Sequence, residues 1–180
     1  MKQEQQIWTI GHSTLSIDEL VSSLEAFSIQ LVGDVRSFPG SRRYPQFNKE
    51  NLRTALASAG VDYIHMPEIG GRRKAQPDSN NLAWRNESFR GYADYMETEA
   101  FQIGVQRLIE TAREKRTAIM CAEAVWWRCH RSLIADYLKA KDIKVIHILG
   151  IGKSEEHPFT SAARIVNGVL SYRGVLESSN

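Results

Sequence analysis

The run MCAEAVWWRCHR, from Met120 to Arg131, holds both cysteines of the chain, a glutamate, a histidine, two arginines and two tryptophans. Three chemistries suit such a set. A thiolate at a helix start beside an arginine is a nucleophile for phosphoryl transfer, because the helix N-terminus and the cation lower the thiol pKa. The six residues between Cys121 and Arg128 are one more than that loop takes, and none is glycine. Zinc is the second: Cys121, Cys129 and His130, with His12 or His147, would supply its ligands. Adjacent residues at a helix start diverge by about 100°, however, and there is no C-x-x-C pair. A redox pair of Cys121 and Cys129 is the third. The plain alternative makes Cys121 a small buried apolar residue at a strand end.

Glu123 stands apart from the cysteines. It follows an apolar run and sits among Ala122, Ala124 and Val125, where a carboxylate is costly unless paired or given a task. Pairing with Arg36, Arg128 or Arg131 is one outcome. A general base or nucleophile partnered by Asp34 or His12 is the other.

Basic residues gather elsewhere. Between Arg36 and Arg90 there are ten Lys or Arg against five acids, most of the former in two long loops. Arginine forks grip phosphate oxygens in bidentate fashion, so Arg36, Arg42, Arg43 and Arg72 are candidates to hold phosphate. Gly70 and Gly71 offer backbone N–H groups for the same purpose. Ser13, Tyr44, Cys121, His130 and Arg131 complete the expected binding wall. Phe38, Tyr44, Phe47, Trp84 and Phe89 are interleaved with the arginines. They either stack on bases or anchor the loops in the core. His65 and His147 lie in strand-like runs and read as satisfied core histidines. His157-Pro158 either folds over the site or makes a plain turn.

Five strand-like runs must position these residues: Gln6 to Ile10, Ile29 to Val35, Val61 to Met66, Thr117 to Cys121 and Lys144 to Leu149. Helical patterns alternate with them. Ser16 and Glu19 form an S-x-x-E capping box, Asn48 caps the second helix, and Gly60 ends it. A helical region from Phe89 to Lys115 breaks near Thr98. Another runs from Arg128 to Lys139. The expectation is a doubly wound α/β fold, with a mainly parallel five-stranded sheet and helices on both faces. Asn167-Gly168 predicts a small C-terminal β-hairpin at about residues 160–173, and the tail LESSN is expected to fray.

In such sheets ligands bind beyond the carboxyl ends of the strands. Those ends carry His12, Asp34, Glu68, Cys121 and Glu123, while the opposite loops (AFS, SAG, EKR, KAKD) are plain. A functional face follows from that asymmetry.

Composition narrows the class. With 180 residues, 42% hydrophobic and 24% charged, the chain reads as a single globular domain over 1–180. No apolar run approaches the roughly 20 residues that span a bilayer, so no membrane partner is expected. The start, MKQEQQIW, has no signal-peptide apolar region, which predicts the cytoplasm. Two cysteines are too few for a secreted disulfide framework. A net charge of +2 does not by itself imply nucleic acid.

TIGHS (Thr9 to Ser13), DVRSFPGSRRYPQFN (Asp34 to Asn48), IGG (Ile69 to Gly71), MCAEA joined to CHR (Cys129 to Arg131), and HPFTSAARIVNG (His157 to Gly168) come in that order. Together they resemble the bacterial domain-of-unknown-function family 488 along nearly the whole chain. The resemblance implies a cytosolic α/β protein, enzymatic on account of the family's cysteines, and brings no reaction. Position by position, it implies functional weight at Gly11, His12, Ser13, Asp34, Arg36, Pro39, Gly70, Gly71, Cys121, Glu123, Cys129, His130 and Arg131. The Trp126-Trp127 pair is less typical of it.

The leading expectation is a hydrolase or transferase acting on a phosphate-containing substrate such as a nucleotide or nucleic acid. Glu123, Asp34, His12 and Cys129 would carry the chemistry, with no cofactor. One alternative is a non-catalytic nucleic-acid-binding module built on the two Arg/aromatic loops. A Cys/His zinc protein is the other.

Overall fold

The computed structural model describes residues 3–174, so the tail LESSN lies outside the described residues. Strand β1 (Gln6–Gly11) has a buried centre and lies in the middle of the sheet. Ser16 then opens helix α1 (Ile17–Glu25) with both capping-box hydrogen bonds in place. Strand β2 (Leu31–Asp34) is buried throughout. Helix α2 (Lys49–Ser58) starts after Asn48, whose side chain accepts the Ser41 N–H (2.7 Å) instead of capping the helix. Gly60, at φ 76°, turns the chain into β3 (Asp62–His65).

The long helical region divides where expected. Helix α3 (Glu87–Met96) ends before Thr98, whose hydroxyl accepts the Phe101 N–H and opens α4 (Glu99–Glu114). Strand β4 (Thr117–Cys121) is wholly buried. The next helix begins later than the sequence suggests. Residues Trp126–Arg128 make a single 3-10 turn, Cys129 is extended (φ −126°, ψ 152°), and only then does α5 (Arg131–Ala140) begin. Arg128 is therefore not a helix start.

Strand β5 (Lys144–Gly150) is followed by a sixth strand, β6 (Lys153–Glu156), antiparallel to it. Its residues, KSEE, are all exposed. Hydrophobic periodicity cannot signal a charged edge strand, which is how sheets discourage edge-to-edge association. The chain closes with the expected hairpin, β7 (Arg164–Val166) and β8 (Val169–Ser171). Asn167 and Gly168 both have positive φ (51° and 77°), as a tight hairpin turn requires.

The main sheet runs β3-β2-β4-β1-β5-β6, with β1 to β5 parallel. Leu20 and Leu24 of α1 and Leu52 and Leu56 of α2 pack on one face, over Trp8, Ile10 and Met120. Helices α3, α4 and α5 cover the other, over Ile7, Ile119 and Val145. Thus β1 and β4 are neighbours whose following helices leave to opposite faces. That divergence opens a crevice at their carboxyl ends. Register brings Gly11 beside Cys121 and Asp34 beside Met120 and His65. No helix among the described residues is long and apolar enough to cross a membrane.

Candidate active site

A cleft of about 720 Å3 occupies that crevice. The end of β1 contributes His12 and Ser13, and the loop after β2 contributes Arg36 and Tyr44. Gly71 and Arg72 come from the loop after β3, and Cys121, Glu123, Cys129 and His130 from the segment joining β4 to α5. Asp34, Gly70 and Arg131 are buried outside this lining, and Arg42 and Arg43 are exposed outside it. Two of the lining residues, Ser13 (φ 44°) and Arg72 (φ 61°), hold left-handed backbone that non-glycine residues rarely adopt.

Gly11 lets the two central strands meet. A Cβ there would sit 1.8 Å from the Glu123 carbonyl oxygen. Beyond it, the His12 and Ser13 N–H groups donate to the carbonyls of Cys121 (2.9 Å) and Ala122 (3.0 Å). The β1 loop is thereby stitched to the β4 loop.

The two sulfurs meet at the cleft wall. Cys121 and Cys129 are free thiols with Sγ atoms 2.7 Å apart. The Arg131 N–H donates to Cys129 Sγ (3.4 Å), and His130 Nδ1 lies 3.4 Å from it. His130 Nε2 is 2.9 Å from the Val35 carbonyl, which only accepts. The partners thus assign the imidazole proton to Nε2 and leave Nδ1 a free acceptor toward the thiol. Tyr92 tilts against the His130 ring (5.1 Å), and a Cβ at Gly71 would sit 3.0 Å from Nδ1. Burial raises the Cys129 thiol, but the Cys121 hydrogen bond, His130 and Arg131 together bring it well below its ordinary value. Burial, with Cys129 alongside, pushes Cys121 well up. Cys129 is therefore the more acidic of the two thiols, with His130 Nδ1 placed to take its proton, while the Cys121 S–H points to the Glu123 carbonyl (3.6 Å).

Asp34 lies beneath the cleft and out of contact with solvent. Arg36 donates to it from its backbone N (3.1 Å), Nε (2.9 Å) and Nη2 (2.7 Å), and the Tyr63 hydroxyl adds a fourth bond (2.5 Å). Four donors fill the four lone-pair positions of a carboxylate. Asp34 therefore holds Arg36 and leaves no oxygen for a substrate proton. Burial and the Asp34 bond push the Tyr63 phenol up. Arg36 Nη1 reaches His12 Nε2 (3.4 Å), while His12 Nδ1 faces the Ser13 carbonyl (3.0 Å). The His12 ring stacks on Phe47 at 4.2 Å. Burial lowers the pKa of His12, partly offset by the Ser13 bond, which leaves a neutral imidazole with its accepting Nε2 beside Arg36.

Glu123 differs from its sequence-based expectation. Its side chain is exposed at the cleft mouth, not buried after the strand. Arg131 does not pair with its carboxylate. Arg131 is 1% exposed, and its Nη2 donates to the Glu123 (2.7 Å) and Ala124 (3.3 Å) carbonyls. Its Nη1 donates to Thr9 Oγ1 (3.1 Å). Arg131 is thus a brace for the β4 loop and does not face the cleft.

Behind the brace runs a buried chain that the sequence did not disclose. Thr9 Oγ1 meets His147 Nδ1 (2.6 Å), His147 Nε2 meets His157 Nδ1 (2.8 Å), and His157 Nε2 meets Asp136 Oδ1 (2.8 Å). Thr160 and Tyr172 also donate to Asp136. Trp126 stacks flat on His147 at 4.5 Å, so that tryptophan seals the chain, while Trp127 is exposed. His65, His147 and His157 are all satisfied by protein partners, and none lines the cleft.

Tyr63 was also missed. Its available signal was parity: it lies two residues before His65, on the same side of β3. Of the interleaved aromatics, Phe47 is core and Trp84 packs on Phe89 and Tyr172. Only Phe38 stands out, 74% exposed, with the Arg72 guanidinium 5.8 Å from its ring centre. The expected zinc ligands are not gathered, since His12 and His147 face other partners. Among the described residues no group of three or more His, Cys, Asp or Glu is placed to hold a metal ion. A second cavity, about 530 Å3, lies between α3–α5 and the hairpin and has no thiol or imidazole in its wall.

The family model described as domain of unknown function DUF488 matches residues 16–138. That span holds Asp34, Arg36, both cysteines, Glu123 and His130. No curated protein and no solved structure matches the chain.

Proposed function

We propose that this chain, which belongs to the family described as domain of unknown function DUF488, is a hydrolase or transferase whose nucleophile is Cys129. The surroundings of Cys129 Sγ carry the proposal. A base, His130 Nδ1, stands beside the thiol and is itself oriented by the Val35 carbonyl, the arrangement that activates a nucleophile. The Arg131 N–H, which donates to the Cys129 sulfur, stabilises the thiolate once it forms. The thiol proton passes to His130 as the sulfur attacks the electrophilic centre, and then to the leaving group. Water, or an acceptor hydroxyl, breaks the resulting bond to sulfur and restores the thiol. Glu123, exposed at the mouth, is placed to take the proton of that second nucleophile, whereas the accepting Nε2 of His12 is already turned to Arg36.

The cleft favours a phosphate-bearing substrate. Its walls hold three arginines, Arg36, Arg72 and Arg128, against the single carboxylate of Glu123. The hydroxyls of Ser13 and Ser41 add donors for phosphate oxygens, while that of Ser37 is spent on the Gly71 carbonyl (2.6 Å).

The test is alkylation of Cys129 by iodoacetamide across pH, with and without a nucleoside monophosphate. Alkylation is expected at pH values below the ordinary thiol range of about 8.5, and the nucleotide should slow it. A Cys129 that alkylates only as an ordinary thiol does, and is protected by no phosphate compound, overturns the assignment. Loss of phosphate release in Cys129→Ala, across a panel of nucleotides, is the matching activity readout.

One observation favours a nucleic-acid-binding module instead. Phe38 and Arg72 form an exposed ring-and-guanidinium pair at the cleft mouth, with Arg42 and Arg43 exposed on the same loop as Phe38. Such a module must bind oligonucleotides with an affinity that falls log-linearly with salt. Absence of that slope removes it.

A further inference from the structure

The closest approach of two reactive groups in the cleft is between the sulfurs. Cys121 and Cys129 are held by different frames. Cys121 ends β4, whose register is set by β1 and β2. Cys129 is the extended residue before α5, with its carbonyl accepting the Ser132 hydroxyl (2.8 Å) and N–H. Between them the loop is anchored by Arg131 to the Glu123 and Ala124 carbonyls. Independent anchoring of both ends makes the 2.7 Å contact a property of the fold. A disulfide needs about 2.05 Å, so the two sulfurs bond after a shift of well under 1 Å. Both border the cleft, which admits a small oxidant.

We propose that Cys121 is a resolving thiol, which converts a peroxide-oxidised Cys129 into a reversible Cys121–Cys129 disulfide. The Cys129 thiolate attacks one oxygen of hydrogen peroxide, breaks the O–O bond, and becomes a sulfenic acid as hydroxide leaves. The Cys121 sulfur, its proton taken by that hydroxide, then attacks the Cys129 sulfur, and the sulfenic oxygen leaves as water with the proton that Cys129 had passed to His130. Two thiols lose two hydrogens, and one peroxide becomes two waters. A cellular dithiol reverses the bond by exchange. In the disulfide Cys129 has no thiolate, so the cleft is switched off and shielded from irreversible oxidation to sulfinic acid. The switching consequence rests on Cys129 being the nucleophile. The pairing chemistry does not.

The experiment treats the reduced, full-length protein with hydrogen peroxide, quenches with iodoacetamide, and reads intact and peptide masses. Wild type should lose two hydrogens and both alkylatable thiols, in one peptide cross-link, and dithiothreitol should restore both. In Cys121→Ser, and in Cys121→Ala as a second variant, Cys129 should be trapped by dimedone and then gain two or three oxygens that dithiothreitol does not remove. Wild-type Cys129 that passes to sulfinic acid with no cross-link overturns the proposal. So does a protein that keeps both thiols alkylatable under peroxide that oxidises a small-molecule thiol. Because the readout is the state of the sulfurs, a cross-link together with an ordinary Cys129 alkylation profile would refute the nucleophile assignment and leave the redox pair standing.

Discussion

Replacing Asp34 by asparagine should unseat the end of β2. The carboxylate is fully buried and accepts from Arg36 N, Nε and Nη2 and from the Tyr63 hydroxyl, at 2.5 to 3.1 Å. Asparagine keeps the shape but has one acceptor oxygen, and its amide would face a donor that has no lone pair. The Arg36 guanidinium then stays in the interior with no counter-charge. Removing one partner of a buried pair costs about 3–5 kcal/mol. For a chain of this length each kcal/mol is worth about 2–4 °C in Tm, so a fall of roughly 6–20 °C is expected. Tyr63→Phe removes a single bond to a charged acceptor, about 1.5–3 kcal/mol at most, and should fall at the low end because Tyr63 is half-buried. A double change, Asp34→Leu with Arg36→Met, removes both charges and should be less destabilised than Asp34→Asn alone. Urea unfolding followed by tryptophan fluorescence measures all three, with m values compared to confirm a common unfolded state. If Asp34→Asn costs under about 1 kcal/mol at unchanged m, the worth of an exposed ion pair, the fork does not hold this corner of the sheet.

Three further outcomes follow from buried groups and close approaches. Burial, then His157 and Arg131, push His147 down to about 2. The fold thus favours neutral His147, and the stability it contributes is whole above the unfolded value of about 6.5. That stability drains as pH falls toward 2, by up to about 1.4 kcal/mol per pH unit. Urea midpoints against pH should flatten in His147→Gln, and an unchanged acid limb removes this account. Asp94 is lowered despite burial, because Ser79, Asn81 and the Gln76 N–H donate to it and Arg90 lies near. Its stabilisation is present above about pH 3.9 and lost as pH falls through its lower folded value, so Asp94→Asn should soften the steepest acid unfolding. Equal steepness in both proteins would contradict this. Gly11→Ala places a methyl 1.8 Å from the Glu123 carbonyl and 2.9 Å from Arg131 Nη2, so the β4 loop must move. At least about 1–3 kcal/mol should be lost, with a changed Cys129 alkylation rate, whereas Gly40→Ala, which meets nothing within 4 Å, serves as a neutral control.

Much of the frame was legible because its signals are local. The Ser16–Glu19 box, the Thr98 break and the Asn167-Gly168 turn each act over a few residues, and each formed as expected. Strand β6 was hidden because a charged edge strand is held by backbone pairing alone. At the site, the clustering of polar residues at strand ends located the cleft. It did not assign roles, since roles depend on which atom of a side chain finds which partner.

Residue types and alternating periodicity alone dictated an α/β sheet with His12, Arg36, Cys121, Glu123, Cys129 and His130 at one end, because strands deliver their last residues to a common edge. Tertiary packing decided the rest. It buried Asp34 under four donors and left Glu123 in solvent. It turned Arg131 away from the cleft onto two carbonyls, and it folded the β4–α5 loop so that two sulfurs eight positions apart came into contact. Those outcomes are set by crossings between β1, β4 and α5, and a carboxylate or thiol takes its protonation state from the neighbours those crossings supply.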